Sequence, residues 1–127
     1  MILLDTNALV ALLIYPHRLG KRTQRIIEKS EGAYCSSISL AELHIKSLKR
    51  KFDVEPLMER LAVESGVRVL PFRQVDAVQV SSQTNLIKHD PFDRLILATA
   101  ASNRAKLLTS DRVMLSLGLS WILDSFD

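Results

Sequence analysis

The sequence is poor in cysteine, with Cys35 as the single one among 127 residues. One cysteine cannot form an intramolecular disulfide or a zinc site built from several cysteines, so we expect a reduced, cytoplasmic protein. Glycine and proline are also sparse, with 4 of each, which excludes collagen-like and low-complexity chains. The hydrophobic share of 47% predicts one packed domain spanning residues 1–127, without a stabilising disulfide or metal.

The chain also lacks a long uninterrupted hydrophobic run. Its N-terminal segment, MILLDTNALVALLI, has no basic start and carries Asp5 within the apolar residues. This pattern predicts neither a secretory signal peptide nor a membrane-spanning segment. Aromatic residues make up only 6% and the net charge is only +3. The charge permits a nucleic-acid partner without arguing for one, and no aromatic platform for stacked bases is apparent.

Several well-known catalytic motifs are absent from the sequence. It contains no GxGxxG or Walker loop, so a nucleotide cofactor would have no phosphate cradle. It contains no GxSxG nucleophile elbow. Cys35 lies within an apolar segment and is interpreted as a core residue. The three histidines, His17, His44 and His89, are scattered along the chain and are assigned no role.

Short apolar segments alternate with helical patterns along the chain. The predicted strands are Met1–Leu4, Ala33–Ser36, Val67–Leu70, Leu107–Thr109 and Leu119–Leu123. The predicted helices are Ala8–Ile14, Pro16–Ser30, a third that is capped by Ser37 or Ser39 and ends at Lys51, one after Pro56, Val75–Gln83, and one opened by Pro91. Continuous apolar strands are typical of a sheet buried on both faces. The predicted fold class is therefore α/β, a three-layer α/β/α domain with a central, mainly parallel sheet.

Four acidic residues lie where such a sheet binds ligands, at the carboxyl ends of its strands. Asp5 and Asp111 follow predicted strands, while Glu42 and Asp93 are expected in the first turns of helices. Each residue also has a structural explanation. Asp5 and Asp111 can cap helices, Asp93 gains from a helix dipole, and Glu42 can pair with Lys46.

Taken together, the four acids indicate a cation site. Two carboxylates about 4 Å apart repel by about 4 kcal/mol at an effective dielectric constant of about 20. A stable protein relieves such repulsion by binding a cation or by protonating one member. The oxygen-only donor set predicts Mg²⁺ or Mn²⁺ rather than zinc, and such sites commonly serve phosphoryl chemistry.

The predicted third helix has a basic face led by one of these acids. At helical spacing, Glu42 shares its face with three basic residues, Lys46, Lys49 and Arg50. The opposite side is expected to be buried and carries Ile38, Ala41, Ile45 and Leu48. A basic stripe beside a metal site suits a polyanion; a solvated helix face with one ion pair is the alternative.

Several motifs of the sequence together resemble a PIN domain, and more narrowly the VapC-type toxins of bacterial and archaeal toxin–antitoxin pairs. The resemblance extends over essentially the whole chain. The motifs, in chain order, are Asp5-Thr6-Asn7, Ser39-x-x-Glu42, Asp90-Pro91-Phe92-Asp93-Arg94 and Thr109-Ser110-Asp111.

The resemblance implies a Rossmann-like PIN fold and a Mg²⁺- or Mn²⁺-dependent endoribonuclease. Its catalytic and metal-binding acids map onto Asp5, Glu42, Asp93 and Asp111, with Asn7 and Thr109 ordering the site by hydrogen bonds. Hydrolysis by water would leave a 5′-phosphate and a 3′-hydroxyl. The resemblance also implies a homodimer, and an antitoxin whose C-terminal segment occupies the site. Candidate RNA contacts are Arg94, Arg112, Lys46, Lys49 and Arg50.

The sequence departs from the family pattern at two positions, and two other functions stay open. His89 directly precedes Asp90, where relatives often carry His-x-Asp-Pro, and Ala41 stands where an aromatic residue often precedes the glutamate. One alternative is a non-catalytic module that binds RNA or a protein. The other is a phosphoryl-transfer or receiver-like domain, which would want a second acid beside Asp5, where Thr6 and Asn7 stand.

Overall fold

The structure is a computed structural model that describes residues 1–49, 52–63, 65–82 and 88–127. Its strands are β1 (Ile2–Leu4), β2 (Ala33–Ser36), β3 (Arg68–Leu70), β4 (Lys106–Thr109) and β5 (Ile122–Asp124). Its helices are α1 (Thr6–Ile14), α2 (Lys21–Lys29), α3 (Ser37–Leu48), α4 (Glu55–Val63), α5 (Gln74–Val80), α6 (Pro91–Ser102) and α7 (Arg112–Leu115), with a 3-10 turn at Pro16–Arg18. The predicted helix ends at Lys51 and Gln83, and Arg50, lie outside the described residues.

All five strands are parallel and form one sheet in the order β3-β2-β1-β4-β5. Side chains of the central strand β1 alternate between two cores, because successive residues of a strand point to opposite faces. Leu4 packs in one core with Leu9 and Leu43, whereas Leu3 packs in the other with Leu97. Helices therefore cover both faces, and the predicted three-layer fold is confirmed. None of the helices within the described residues is long and apolar enough to cross a membrane.

The edge strand β3 differs from the prediction that every strand is buried on both faces. Arg68 and Val69 are exposed, Val69 to 42%. β3 has a strand neighbour on one side only, β2, so its apolar composition does not imply burial.

The predicted helix Pro16–Ser30 is interrupted. Gly20 adopts an extended conformation and precedes α2, and the C-terminal backbone packs directly on it. A Cβ atom at Gly20 would lie 1.9 Å from the carbonyl carbon of Asp127. The break coincides with a contact between residues more than a hundred positions apart, since Gly20 N donates to Ser125 O at 3.0 Å, and helical periodicity does not report such contacts.

Helix α3 begins earlier than predicted. Ser36 Oγ accepts a hydrogen bond from Ile38 N at 3.0 Å and caps the helix. Glu42 consequently lies in the second turn, so the prediction that it lies in the first turn, favoured by the helix dipole, was wrong.

The buried side of α3 was also predicted wrongly. Ala41, Ile45 and Leu48 are exposed, Leu48 to 84%, while Glu42 and Leu43 are buried. Of the predicted residues only Ile38 packs against a core, the one that contains Leu97, while Leu43 packs into the other core.

Candidate metal centre

The predicted acids meet at the carboxyl edge of the sheet, where β1 and β4 lie side by side. The chain runs from β1 through β2 to β3 on one side, and then to β4 and β5 on the other. Such a reversal opens the crevice in which α/β proteins bind ligands. Asp5 follows β1 and its backbone N–H donates to Leu108 O at 3.0 Å. Thr109 ends β4, and Asp111 follows two residues later.

Asp5 is 3% exposed and is held by two hydrogen bonds. Its Oδ1 accepts from Ala8 N at 2.8 Å, which caps α1, and its Oδ2 accepts from Thr109 Oγ1 at 2.5 Å. Burial first, and then the charges of Glu42 and Asp111, raise the pKa of Asp5 to about 6 against the lowering effect of the two hydrogen bonds. Asp5 is therefore both a helix cap and a member of a charged cluster.

Glu42 projects from α3 into the same region and is 5% exposed. Thr6 Oγ1 donates to Glu42 Oε1 at 2.5 Å and lies 3.0 Å from Ser39 Oγ. Lys46 Nζ lies 2.9 Å from Glu42 Oε2, so the ion pair considered as the structural explanation is present. Both Glu42 oxygens are thus engaged by groups of this chain.

Asp93 and Asp111 share a neighbour, His89. Its Nε2 lies 3.2 Å from Asp93 Oδ2 and 3.1 Å from Asp111 Oδ2. Asp111 also caps α7 through Met114 N at 2.9 Å, and its own N–H donates to Thr109 Oγ1 at 3.0 Å. Thr109 therefore links Asp5 to Asp111, and His89 links Asp111 to Asp93.

The pKa of Asp93 depends on its burial and on the acids around it. Burial first, and then the charges of Asp90, Asp111, Glu42 and Asp5, together raise the pKa of its carboxyl group to about 7. All three other predicted acids thus act on Asp93. A bound cation would oppose both effects, because it stabilises the ionised form.

The other predicted residues occupy varied positions. Asn7 is exposed and makes no side-chain hydrogen bond within the described part of the chain. Lys49 is exposed at the C-terminal cap of α3. Arg112 Nη2 lies 2.9 Å from Asp124 Oδ2, and Arg94 is half-buried in the turn that carries Asp93.

Two residues of the cluster had no role in the sequence prediction, Thr6 and His89. Thr6 directly follows Asp5, so its position was visible in the motif. His89 lies four residues before Asp93, but its approach to Asp111 spans 22 residues and has no local signal. The turn capped by Asp90, which accepts from Phe92 N at 2.8 Å, separates His89 from α6.

The donor atoms of the cluster suit a divalent cation. His89, Asp93 and Asp111 each offer one ligand atom, and these atoms lie within 4.8 Å of one another. Carboxylate oxygens bind Mg²⁺ and Mn²⁺, and an imidazole nitrogen adds affinity for transition metals. The residues present therefore fit the metal that the family resemblance implies.

A profile of the family described as PIN domain matches residues 2–118. Among curated proteins, none matches the sequence at a significant level. Similar solved structures were found. A chain of a toxin–antitoxin complex from Klebsiella pneumoniae has 22% identity and a TM-score of 0.69, with 100% of this chain and 99% of that chain covered.

Two further structures have similar folds. VapBC2 from Rickettsia felis, bound to a DNA fragment from their promoter, has 21% identity and a TM-score of 0.70, with 97% of this chain and 96% of that chain covered. FitAcB from Neisseria gonorrhoeae has 27% identity and a TM-score of 0.58, with 87% of this chain and 88% of that chain covered. The match over residues 2–118, together with the parallel sheet and its acidic edge, shows that the chain belongs to the PIN domain family.

Proposed function

We propose that this PIN domain is a divalent-metal-dependent endoribonuclease, the toxin of a type II toxin–antitoxin pair. The single observation that carries the proposal is the mutual approach of four acids at the switch point of the sheet. Their crowding contributes to the raised pKa of Asp93, about 7. A protein that only needed helix caps would not require these charges to act on one another.

The acids Asp5, Glu42, Asp93 and Asp111 would hold Mg²⁺ or Mn²⁺, with Asp93 and Asp111 presenting the less buried oxygens. When bound, such an ion neutralises charge on a scissile phosphate and makes water a better nucleophile. Thr109 holds Asp5 and Asp111 in place through its hydroxyl group. Thr6 and Lys46 do the same for Glu42.

Glu42 or Asp111 is the residue we assign to orient the attacking water and to accept its proton. Glu42 Oε2 lies 2.9 Å from Lys46 Nζ, and the side chain of Lys46 is 38% exposed. Attack by water leaves a 5′-phosphate and a 3′-hydroxyl. Asn7 is exposed in the first turn of α1, and we propose that it orders the site by a hydrogen bond to bound substrate.

RNA contacts are assigned to basic residues around this edge. Lys46 lies at the site through its ion pair with Glu42, and Lys49 follows it on α3. Arg94 follows Asp93, and Arg112 follows Asp111. Arg50 lies outside the described residues and stays a prediction. A positive rim beside an acidic centre suits a phosphodiester chain.

The partners proposed are an antitoxin and a second copy of the chain. Two of the similar structures are described as a toxin–antitoxin complex and as VapBC2. We propose that the C-terminal segment of an antitoxin occupies the acidic site of this chain, in the cytoplasm. The homodimer would use the exposed apolar residues Ile45 and Leu48 of α3 together with Val75 and Val78 of α5.

One observation favours the alternative of a non-catalytic module that binds RNA or a protein. Lys46 pairs with Glu42, and His89 lies between Asp93 and Asp111. These cationic or cation-capable groups reduce the repulsion of the acids without a metal. An assay of cleavage with and without metal separates the two functions.

The test is cleavage of end-labelled RNA by the purified chain with Mg²⁺ or Mn²⁺, with EDTA, and after metal is restored. We expect cleavage that EDTA stops and metal restores, with 5′-phosphate and 3′-hydroxyl ends. Asp93→Asn and Asp5→Asn should abolish it. Asp53→Asn is the control, because Asp53 is exposed and accepts from Glu55 N, and this variant should stay active. RNA binding without any cleavage would support the alternative.

A further inference from the structure

His89 is placed as a metal ligand would be, between two acids of the site. Its Nε2 lies 3.2 Å from Asp93 Oδ2 and 3.1 Å from Asp111 Oδ2. Its side chain is 19% exposed, and the two carboxylates are 23% and 24% exposed. All three are therefore half-buried at one accessible edge, where an ion can enter.

Two of the three separations between these donor atoms are compatible with octahedral coordination. Ligand atoms about 2.1 Å from a cation, at right angles to each other, lie about 3.0 Å apart. The two distances from His89 Nε2, 3.1 Å and 3.2 Å, are close to that value. The three ligand atoms also lie within 4.8 Å of one another. A cation can therefore contact all three with small side-chain movements.

His89 differs in one respect from Lys46, the cationic partner of Glu42. The ammonium group of lysine offers no lone pair, so Lys46 cannot bind a metal without losing its charge. A neutral imidazole that carries its proton on Nδ1 offers the lone pair of Nε2. The nitrogen that faces Asp93 and Asp111 in this structure is Nε2.

We propose that His89 is a direct ligand of the cation, together with Asp93 and Asp111, and that it makes this site select Mn²⁺ over Mg²⁺. Mg²⁺ prefers oxygen ligands and gives up water reluctantly. A borderline nitrogen donor favours first-row transition metals instead. This role deepens the proposed nuclease function, since it concerns the ion at that same site.

The experiment compares Mn²⁺ and Mg²⁺ binding to the metal-stripped chain by calorimetry. His89→Gln is the test variant. His44→Gln is the matched control, because His44 is exposed on α3 and its Nδ1 contacts Leu40 O. Wild type and the control should bind Mn²⁺ more tightly than Mg²⁺ by about tenfold or more. His89→Gln should lose most of this preference, with Mg²⁺ affinity changed by less than about threefold.

Pulsed electron paramagnetic resonance of bound Mn²⁺ gives a second readout. Nitrogen hyperfine coupling should be present in wild type and His44→Gln and absent in His89→Gln. Wild type without nitrogen coupling, or His89→Gln with an unchanged Mn²⁺ preference, would overturn the proposal. A second variant, His89→Asn, and thermal melting of each protein show that any loss is not a folding defect.

The outcomes also distinguish this proposal from the proposed nuclease function. Nitrogen-coupled Mn²⁺ with no RNA cleavage would leave His89 as a ligand and refute the nuclease. Metal-dependent cleavage without nitrogen coupling would refute the role of His89 alone. A wild-type chain that binds neither ion would refute both.

Discussion

Asp93 is the residue at which burial and charge crowding combine most strongly. Its pKa of about 7 lies far above the ordinary value of 3.8, because burial and four carboxylates disfavour its ionised form. Between pH 3.8 and about pH 7, Asp93 is protonated in the folded protein and ionised in the unfolded chain. The stability contributed by protonated Asp93 is therefore complete below about pH 4 and is lost as pH rises to about pH 7.

The first prediction concerns Asp93→Asn, which keeps the shape of the side chain and removes its charge. The metal-free variant should be at least as stable as wild type at pH 8, and the fall in its melting temperature between pH 5 and pH 8 should be smaller by about 5 °C. Added Mn²⁺ should raise the melting temperature of wild type but not of the variant. Thermal melting checks this. A metal-free variant less stable by about 1 kcal/mol, as loss of a helix-terminal charge alone would cause, would argue against the cluster.

The second prediction concerns Thr109, whose hydroxyl donates to Asp5 and accepts from Asp111 N. Thr109→Val has a similar shape but leaves Asp5 without this donor. We expect a loss of about 1–3 kcal/mol in the free energy of unfolding, together with weaker Mn²⁺ binding. Thr109→Ser should recover both. Denaturant unfolding and calorimetry measure them, and full metal affinity in Thr109→Val would mean that the hydroxyl does not position the acids.

At the scale of secondary-structure elements, α5 and α6 are joined by a buried carboxylate away from the site. Asp76 accepts from Arg73 N at 2.8 Å and Arg73 Nη2 at 3.2 Å, and Ser102 Oγ donates to it. Asp76 is fully buried, and although burial opposes it, these hydrogen bonds and the charge of Arg73 lower its pKa. Because Ser102 is the last residue of α6, this network holds the C-terminal end of the helix whose first turn carries Asp93.

The third prediction is that Asp76→Ala lowers the free energy of unfolding by about 3 kcal/mol at pH 7. Because the pKa of Asp76 is lowered on folding, its contribution is present above the unfolded pKa and declines as pH falls below it. The difference between variant and wild type should therefore shrink in acid. Asp53→Ala is the control, since Asp53 is exposed and its side chain accepts from Glu55 N. Equal effects of the two substitutions in denaturant unfolding would contradict this role of Asp76.

The elements also show what the sequence could predict. Apolar runs such as Ile2–Leu4 identified the strands, and residues such as Asp5 and Asp111 marked helix starts, because strands and caps are encoded locally. The buried side of α3 was predicted only in part, through Ile38, because the helix carries apolar residues on two sides and packing against the rest of the chain selects Leu43. His89 was missed for a similar reason. Its contact with Asp111 depends on how β4 and α6 are placed.

At the scale of the whole molecule, the unpartnered apolar residues of α3 and α5 are the surface that the proposed homodimer would bury. Both helices pack against α6. Leu48 is 84% exposed and Val78 is 67% exposed. Large exposed apolar patches on a protein surface commonly mark sites of protein–protein contact.

The fourth prediction is that the wild-type chain has twice the monomer mass of 14.3 kDa in light scattering coupled to size exclusion. Leu48→Lys and Val78→Lys should each shift it toward the monomer, because a buried lysine without a partner disfavours the interface. Val63→Lys is the control, since Val63 is also exposed, to 76%, but lies on α4. A monomeric wild type, or a control that dissociates equally, would contradict this interface.

The most direct test of a metal centre at the acidic edge of the sheet is anomalous diffraction from crystals of the wild-type chain grown with Mn²⁺. The expected result is an anomalous peak within bonding distance of carboxylate oxygens of Asp93 and Asp111, beside Asp5. No peak at that edge in crystals soaked to saturation, with His89 still lying between Asp93 and Asp111, would contradict a metal centre in this protein.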